Sequence, residues 1–191
     1  MYNLANQLTL FRIILIPLLV VIFYLPYDWR FPVCATLFTI AGITDWADGY
    51  IARKYQLSTP FGAFLDPVAD KLMVAVALAL LIELHGSLWF TLPAAVIICR
   101  EIVISALREW MAEIGARAAV AVSMVGKIKT TLQIVAIVVL LAFDPAKFEL
   151  MKLLGLLALY IAAVLTLWSM IVYLRAAWPS FKQGADNSTN P

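Results

Sequence analysis

The residues most able to do chemistry lie in one stretch, "TDWADGYIARKYQLSTPFGAFLDPVADK", residues 44–71, which holds Asp45, Asp48, Asp66 and Asp70. Asp45 and Asp48 are spaced i, i+3 and Asp66 and Asp70 i, i+4, so on helices each pair occupies one face. A short connection around 55–59 makes the two helices antiparallel neighbours, and the two facing pairs form one cluster of four carboxylates. A charged aspartate at the centre of a membrane span costs about 2.5–3.5 kcal/mol, and four close together add mutual repulsion. Cations relieve both effects. An all-oxygen ligand set selects hard divalent ions such as Mg2+ or Mn2+. The one histidine, His85, falls on the opposite side of the topology given below, which disfavours zinc. The alternative is structural ion pairing of the aspartates with Arg53, Lys54 and Lys71.

The elements that must position these groups follow from hydropathy. The chain has 191 residues, 64% hydrophobic and 14% charged, with a mean hydropathy of +0.93. An ordinary soluble domain is about 45–50% apolar and about 25% charged. The excess comes in runs long enough for a bilayer, which takes roughly 20 residues to cross. An all-α integral membrane protein with six transmembrane helices is therefore expected, with spans near 8–26, 33–53, 61–83, 88–111, 123–143 and 150–174. They form one catalytic domain over 1–178, followed by a polar, frayed cytoplasmic tail over 179–191. The early apolar run is interrupted by Arg12 and lacks a small-residue cleavage site, so it reads as a retained first span. Thr59 and Pro60 suit the N-cap and first turn of the third helix. Trp29, Trp89 and Trp178 fall near span ends, as interfacial aromatics do.

Charge gives orientation. With the N-terminus inside, the cytoplasmic face carries Arg12, Arg53, Lys54, Lys71, Arg100, Arg108, Arg117, Lys127, Lys129, Arg175 and Lys182. The other face carries Arg30, Lys147 and Lys152. This positive-inside bias puts both termini in the cytoplasm. From the 1.5 Å rise per residue, Asp45 lies roughly 18 Å along its span from the outer end. Asp66 and Asp70 lie roughly 9 and 15 Å from the cytoplasmic start of theirs. All four aspartates then occupy the cytoplasmic half of the membrane, where a lipid headgroup can meet soluble reactants. The net charge of +2 gives no footprint for nucleic acid. Cys34 and Cys99 sit in different apolar runs without paired ligands and read as small buried hydrophobes. Gly49 and Gly62 admit either close helix packing or close approach of a ligand. Pro67 frees the carbonyl of Ala63 inside its helix, beside Asp66. The sequon at Asn187 reads as chance on an exposed tail.

The spacing Asp45-x2-Asp48-Gly49-x2-Ala52-Arg53-x8-Gly62-x3-Asp66-x3-Asp70 resembles the full signature of the CDP-alcohol phosphotransferases. Stretches such as "NLANQLTLFRIILIP", "LPAAVIICREIVISALREWMAE" and "VGKIKTTLQ" extend the likeness over nearly the whole chain, to Trp178. They resemble the bacterial branch that uses sn-glycerol 3-phosphate as acceptor. The resemblance implies a six-helix enzyme of the bacterial inner membrane that displaces CMP from CDP-diacylglycerol, works with two divalent ions and forms a homodimer. It implies that Asp45, Asp48, Asp66 and Asp70 hold the metals and that Asp70 is the general base. It also implies that Gly49, Arg53 and Gly62 serve the CDP moiety, Arg53 as a planar donor fork to pyrophosphate.

A dianionic acceptor phosphate requires cations besides the metals, and the second half supplies Arg100, Arg108, Lys127 and Lys129. Arg100 lies mid-span, where an arginine is a functional candidate by default; the alternative is an ion pair with Glu101 or an aspartate. Arg108 reads equally as phosphate ligand or positive-inside charge. Lys127 and Lys129 follow Gly126 at a helix start, where phosphate is favoured, or they snorkel to the interface. Other acceptors of the same family (inositol phosphate, serine), an aspartate-rich intramembrane prenyltransferase and a cation transporter remain as rival readings. The transporter predicts paired repeats, which the sequence lacks.

Overall fold

The computed structural model describes residues 4–55, 60–114 and 124–188, and side-chain surroundings within them except at 4–6, 46, 48–55, 60–61, 63–64, 124–127, 176 and 179–188. Six helices account for the described residues: α1 (Leu4–Phe23), α2 (Arg30–Tyr55), α3 (Pro60–His85), α4 (Leu88–Glu113), α5 (Met124–Ala142) and α6 (Glu149–Ser188). No strand occurs among the described residues, so the all-α expectation holds.

Two helices, Leu88–Glu113 and the Glu149–Arg175 part of α6, are both long and apolar enough to cross a membrane. That count is of the described residues alone. α2 and α3 carry the aspartates together with Arg30, Arg53, Lys54 and Lys71, and their apolar stretches are correspondingly broken. Two ends also differ from the expectation. α1 stops at Phe23, ahead of Pro26, because a residue before proline is driven out of helical geometry. α6 continues past Trp178, through Pro179 and Gly184, to Ser188, where a frayed tail was expected. The expected cap at Thr59 lies outside the described residues.

Helical periodicity explains the packing. The buried face of α1 runs Thr9, Arg12, Leu15, Leu19 and Phe23, a recurrence of three or four that keeps one side inward. α4 repeats the pattern with Phe90, Pro93, Ala94, Ile97, Arg100, Ile104, Leu107 and Met111. The main apolar core gathers Leu15 and Leu19, Phe38, Met73 and Leu78, Ile97, Ile137 and Leu141, and Leu159 from all six helices. Each leucine-sized side chain so buried contributes about 1.5–3 kcal/mol. α5 and α6 pack tightly enough that a Cβ on Gly155 would stand 2.7 Å from Leu140. Gly86, with φ of 53°, makes the turn between α3 and α4 in a conformation glycine adopts without strain.

The inward faces then change character. Beyond this core the buried positions become polar: Thr9 and Arg12 on α1, Arg100 on α4, Lys129 and Gln133 on α5, Thr166 and Ser169 on α6. A smaller apolar cluster of Ile104, Leu107, Met111, Tyr173 and Ala177 closes the α4–α6 pair on the far side of Arg100. Outward, α1 exposes Leu10, Phe11, Ile14, Leu18 and Val21, and α6 exposes Leu153, Leu157, Val164 and Trp168. Contiguous apolar surfaces of this kind mark contact with membrane or protein.

Candidate active site

The polar residues form two clusters of opposite sign. The first lies where α1 meets α2 and α3. The Arg12 side chain, 1% exposed, places Nη1 2.7 Å from Asp45 Oδ1 and 4.0 Å from Asp70 Oδ1. The Asp45 and Asp70 side chains are 40% and 57% exposed, so the guanidinium forms the floor of a carboxylate site that opens outward. One turn before Arg12, Thr9 donates its hydroxyl hydrogen bond to Asp66 Oδ1. Gly62, one turn before Asp66, is buried.

Besides the contact between α2 and α3, α1 packs against both. Three of the four aspartates are tied together through α1, by Thr9 and Arg12. Among the described residues Arg12 is the cation beside Asp45 and Asp70; Lys71 donates to Ser105 on α4, and the side chains of Arg53 and Lys54 lie outside the described residues. Asp48, Gly49 and Arg53 lie on α2, with side-chain surroundings outside the described residues. Among the described residues no three metal-binding side chains gather about one point. The chemistry of the donor set nevertheless suits a hard cation. It is all carboxylate oxygen, it is open to approach, and it already holds one positive charge between Asp45 and Asp70.

The second cluster lies among α4, α5 and α6. Glu101 Oε1 accepts from Arg100 Nη1 at 3.0 Å and from Lys129 Nζ at 3.2 Å. Arg100 Nη2 also donates to Ser169 Oγ at 3.2 Å, and Ser169 Oγ donates to the Thr166 carbonyl at 2.9 Å. The Arg100 guanidinium stands 6.0 Å from the Tyr173 ring centroid, within cation–π range. Two buried cations thus share one carboxylate, leaving a net positive charge. Arg100 Nε, Gln133 Oε1 and Thr166 Oγ1 are buried without a hydrogen-bond partner among the described residues. Buried polar groups are ordinarily satisfied, so these three atoms retain hydrogen-bonding capacity.

Of the four cations expected to serve a phosphate, the structure brings Arg100 and Lys129 together. The pairing of Arg100 with Glu101, considered as an alternative, is present, and Lys129 joins it. Arg108 is exposed near the end of α4 and makes no ion pair among the described residues. The Lys127 side chain lies outside the described residues. The sequence reading missed Arg12, Thr9 and Glu101 as site residues. For Arg12 the signal was present: an arginine in an apolar span, on the same helical stripe as Leu15 and Leu19.

The two clusters approach through Lys71, the neighbour of Asp70, which reaches Ser105, one turn along α4 from Glu101. An anionic, cation-seeking site thus adjoins a cationic, anion-seeking one at one level of a helical bundle.

The family model for CDP-alcohol phosphatidyltransferase matches residues 2–168, and the chain belongs to that family. It is similar at nearly full length to proteins named CDP-diacylglycerol–glycerol-3-phosphate 3-phosphatidyltransferase. That of Pseudomonas fluorescens is 58% identical over 181 residues, covering 94% of this chain and 92% of the relative. That of Pectobacterium atrosepticum is 57% identical over 176 residues, covering 92% and 95%. That of Sodalis glossinidius is 57% identical over 175 residues, covering 92% and 94%.

Proposed function

We propose that this chain transfers the phosphatidyl group from CDP-diacylglycerol to sn-glycerol 3-phosphate, giving phosphatidylglycerophosphate and CMP. The observation that carries this reading is identity of 57–58% across more than nine-tenths of the chain to relatives bearing that activity in their names. The paired clusters of opposite charge support it independently.

In this reading Asp45, Asp48, Asp66 and Asp70 hold divalent ions, Mg2+ or Mn2+. Bound there, such ions neutralise the diphosphate and stabilise the leaving CMP. Gly49 and Gly62 let the cytidine diphosphate approach the backbone of α2 and α3, and Arg53 pairs with its phosphates. Arg100 and Lys129 seat the acceptor's phosphate, with Arg108 and Lys127 on its approach. The acceptor's C1 hydroxyl oxygen then bonds to the lipid-side phosphorus. The bond from that phosphorus to the bridging oxygen breaks, CMP leaves with the electron pair, and Asp70 takes the hydroxyl proton. The open side of the Asp45–Asp70 face leaves room for this approach.

All six helices span the bacterial inner membrane, with both termini and both clusters on the cytoplasmic side. The positive-inside distribution and the exposed apolar faces of α1 and α6 support this placement. Residues 1–178 form the catalytic domain and 179–191 a cytoplasmic extension, and the chain acts as a homodimer, as the family resemblance implies.

The test is CMP release by purified protein given CDP-diacylglycerol, Mg2+ or Mn2+, and each of a panel of acceptors. Release with glycerol 3-phosphate, and little with inositol phosphate or serine, is the expected result. Equal release with all three, or with serine alone, rejects the acceptor assignment.

A further inference from the structure

The carboxylate site contains a positive charge that the transfer reaction does not use. Arg12 is almost fully buried, projects from a helix outside the aspartate motif, and holds Nη1 between Asp45 and Asp70. Thr9, on the same face one turn away, holds Asp66. A buried arginine is tolerated only when paired, and carboxylates this close repel one another unless a cation stands among them. The guanidinium and the two carboxylates thus offset one another's charge without any metal.

We infer that Arg12 is a built-in counter-cation, a positioning residue that keeps the aspartates folded together while the metals are absent and that lowers the site's affinity for them when they arrive. This rests on the reading that the aspartates bind divalent ions. The physical reason is linkage. A fixed positive charge stabilises the metal-free carboxylate cluster and repels an incoming cation, so its two effects have opposite sign. A residue that merely packs α1 against its neighbours stabilises the protein equally with and without metal. The device suits a membrane enzyme. Without a resident cation, the metal-free chain would hold unneutralised carboxylates inside the bilayer, where charge is expensive.

The experiment compares wild-type protein with Arg12→Gln and Arg12→Lys in detergent micelles, measuring the thermal midpoint without metal and at saturating Mn2+, and the Mn2+ affinity from the paramagnetic resonance of free Mn2+. For Arg12→Gln the metal-free midpoint falls by several degrees, saturating Mn2+ recovers most of the difference, and Mn2+ binds at least about fivefold more tightly than to wild type. Arg12→Lys, which keeps the charge but loses the planar fork, lies between the two in both readouts. If Arg12→Gln folds too poorly to study, the Arg12→Lys values alone decide. Equal loss of stability with and without Mn2+, or unchanged or weaker Mn2+ binding, overturns the inference. Absence of Mn2+ binding by the wild-type protein overturns it together with the metal reading, and that failure shows in the wild type alone.

Discussion

The two polar clusters mirror each other. Among α1, α2 and α3, Arg12 stands between Asp45 and Asp70, and Thr9 holds Asp66. Among α4, α5 and α6, two buried cations surround one glutamate, Glu101. Each cluster carries an excess of one charge around a single residue of the other sign. They differ in enclosure: the aspartates open outward, whereas Arg100 and Lys129 are 9% and 1% exposed. An open anionic site can admit hydrated ions and a bulky lipid diphosphate. An enclosed cationic site can discriminate among small acceptors, because a buried polar group left unpaired by the wrong acceptor costs about 1–3 kcal/mol.

The largest effect expected from breaking this comparison is on the anionic side. Asp70→Asn lowers kcat for CMP release about 1,000-fold, while the thermal midpoint stays level or rises because one repelling charge is gone. Near-normal turnover in that variant would remove Asp70 from the role of base. An intermediate effect is expected at the cationic centre. Glu101→Gln lets the Arg100 and Lys129 heads repel one another, and KM for glycerol 3-phosphate rises about tenfold with KM for CDP-diacylglycerol unchanged. A lower KM for glycerol 3-phosphate would instead show that Glu101 competes with the phosphate for those cations.

The smallest effect is expected away from both clusters. Lys147 pairs with Asp28 at 2.6 Å, joining the α1–α2 and α5–α6 connections. This exposed hydrogen bond, with desolvation opposing it and the charges of Asp28 and Asp144 adding to it, raises the Lys147 amine above its ordinary 10.5. A cation with a raised folded-state pKa contributes stability that is complete below the ordinary value and is lost as pH climbs through the raised one. Exposed pairs contribute little. Lys147→Ala therefore leaves both KM values unaltered, and any difference in thermal midpoint from wild type shrinks as pH climbs through the raised value.

How much was legible in the sequence follows the same division. Asp45, Asp66 and Asp70 could be singled out because the signal is local: carboxylates at helical spacing within apolar runs. The helix count was legible from apolar runs, and the end of α1 lay in the Pro26 that follows it. Arg12 and Thr9 were not recognised, because their role depends on α1 packing against both α2 and α3, a contact between residues far apart in sequence. The same holds for Glu101. As a neighbour of Arg100 it looked like a simple pair, and only the approach of α5 makes it the link to Lys129. Gly155 illustrates the limit from the packing side: nothing local distinguishes it from other small residues of α6, yet Leu140 occupies the space a side chain would need.

The division of labour between the two clusters is tested most directly by two-substrate initial rates for Lys129→Met, which removes one buried cation at nearly constant volume. KM for glycerol 3-phosphate rises at least about tenfold, as loss of a charge-assisted hydrogen bond to phosphate requires, and KM for CDP-diacylglycerol stays within about twofold of wild type. Parallel increases in both constants, or an increase for the CDP-lipid alone, would contradict the assignment of the cationic cluster to the acceptor.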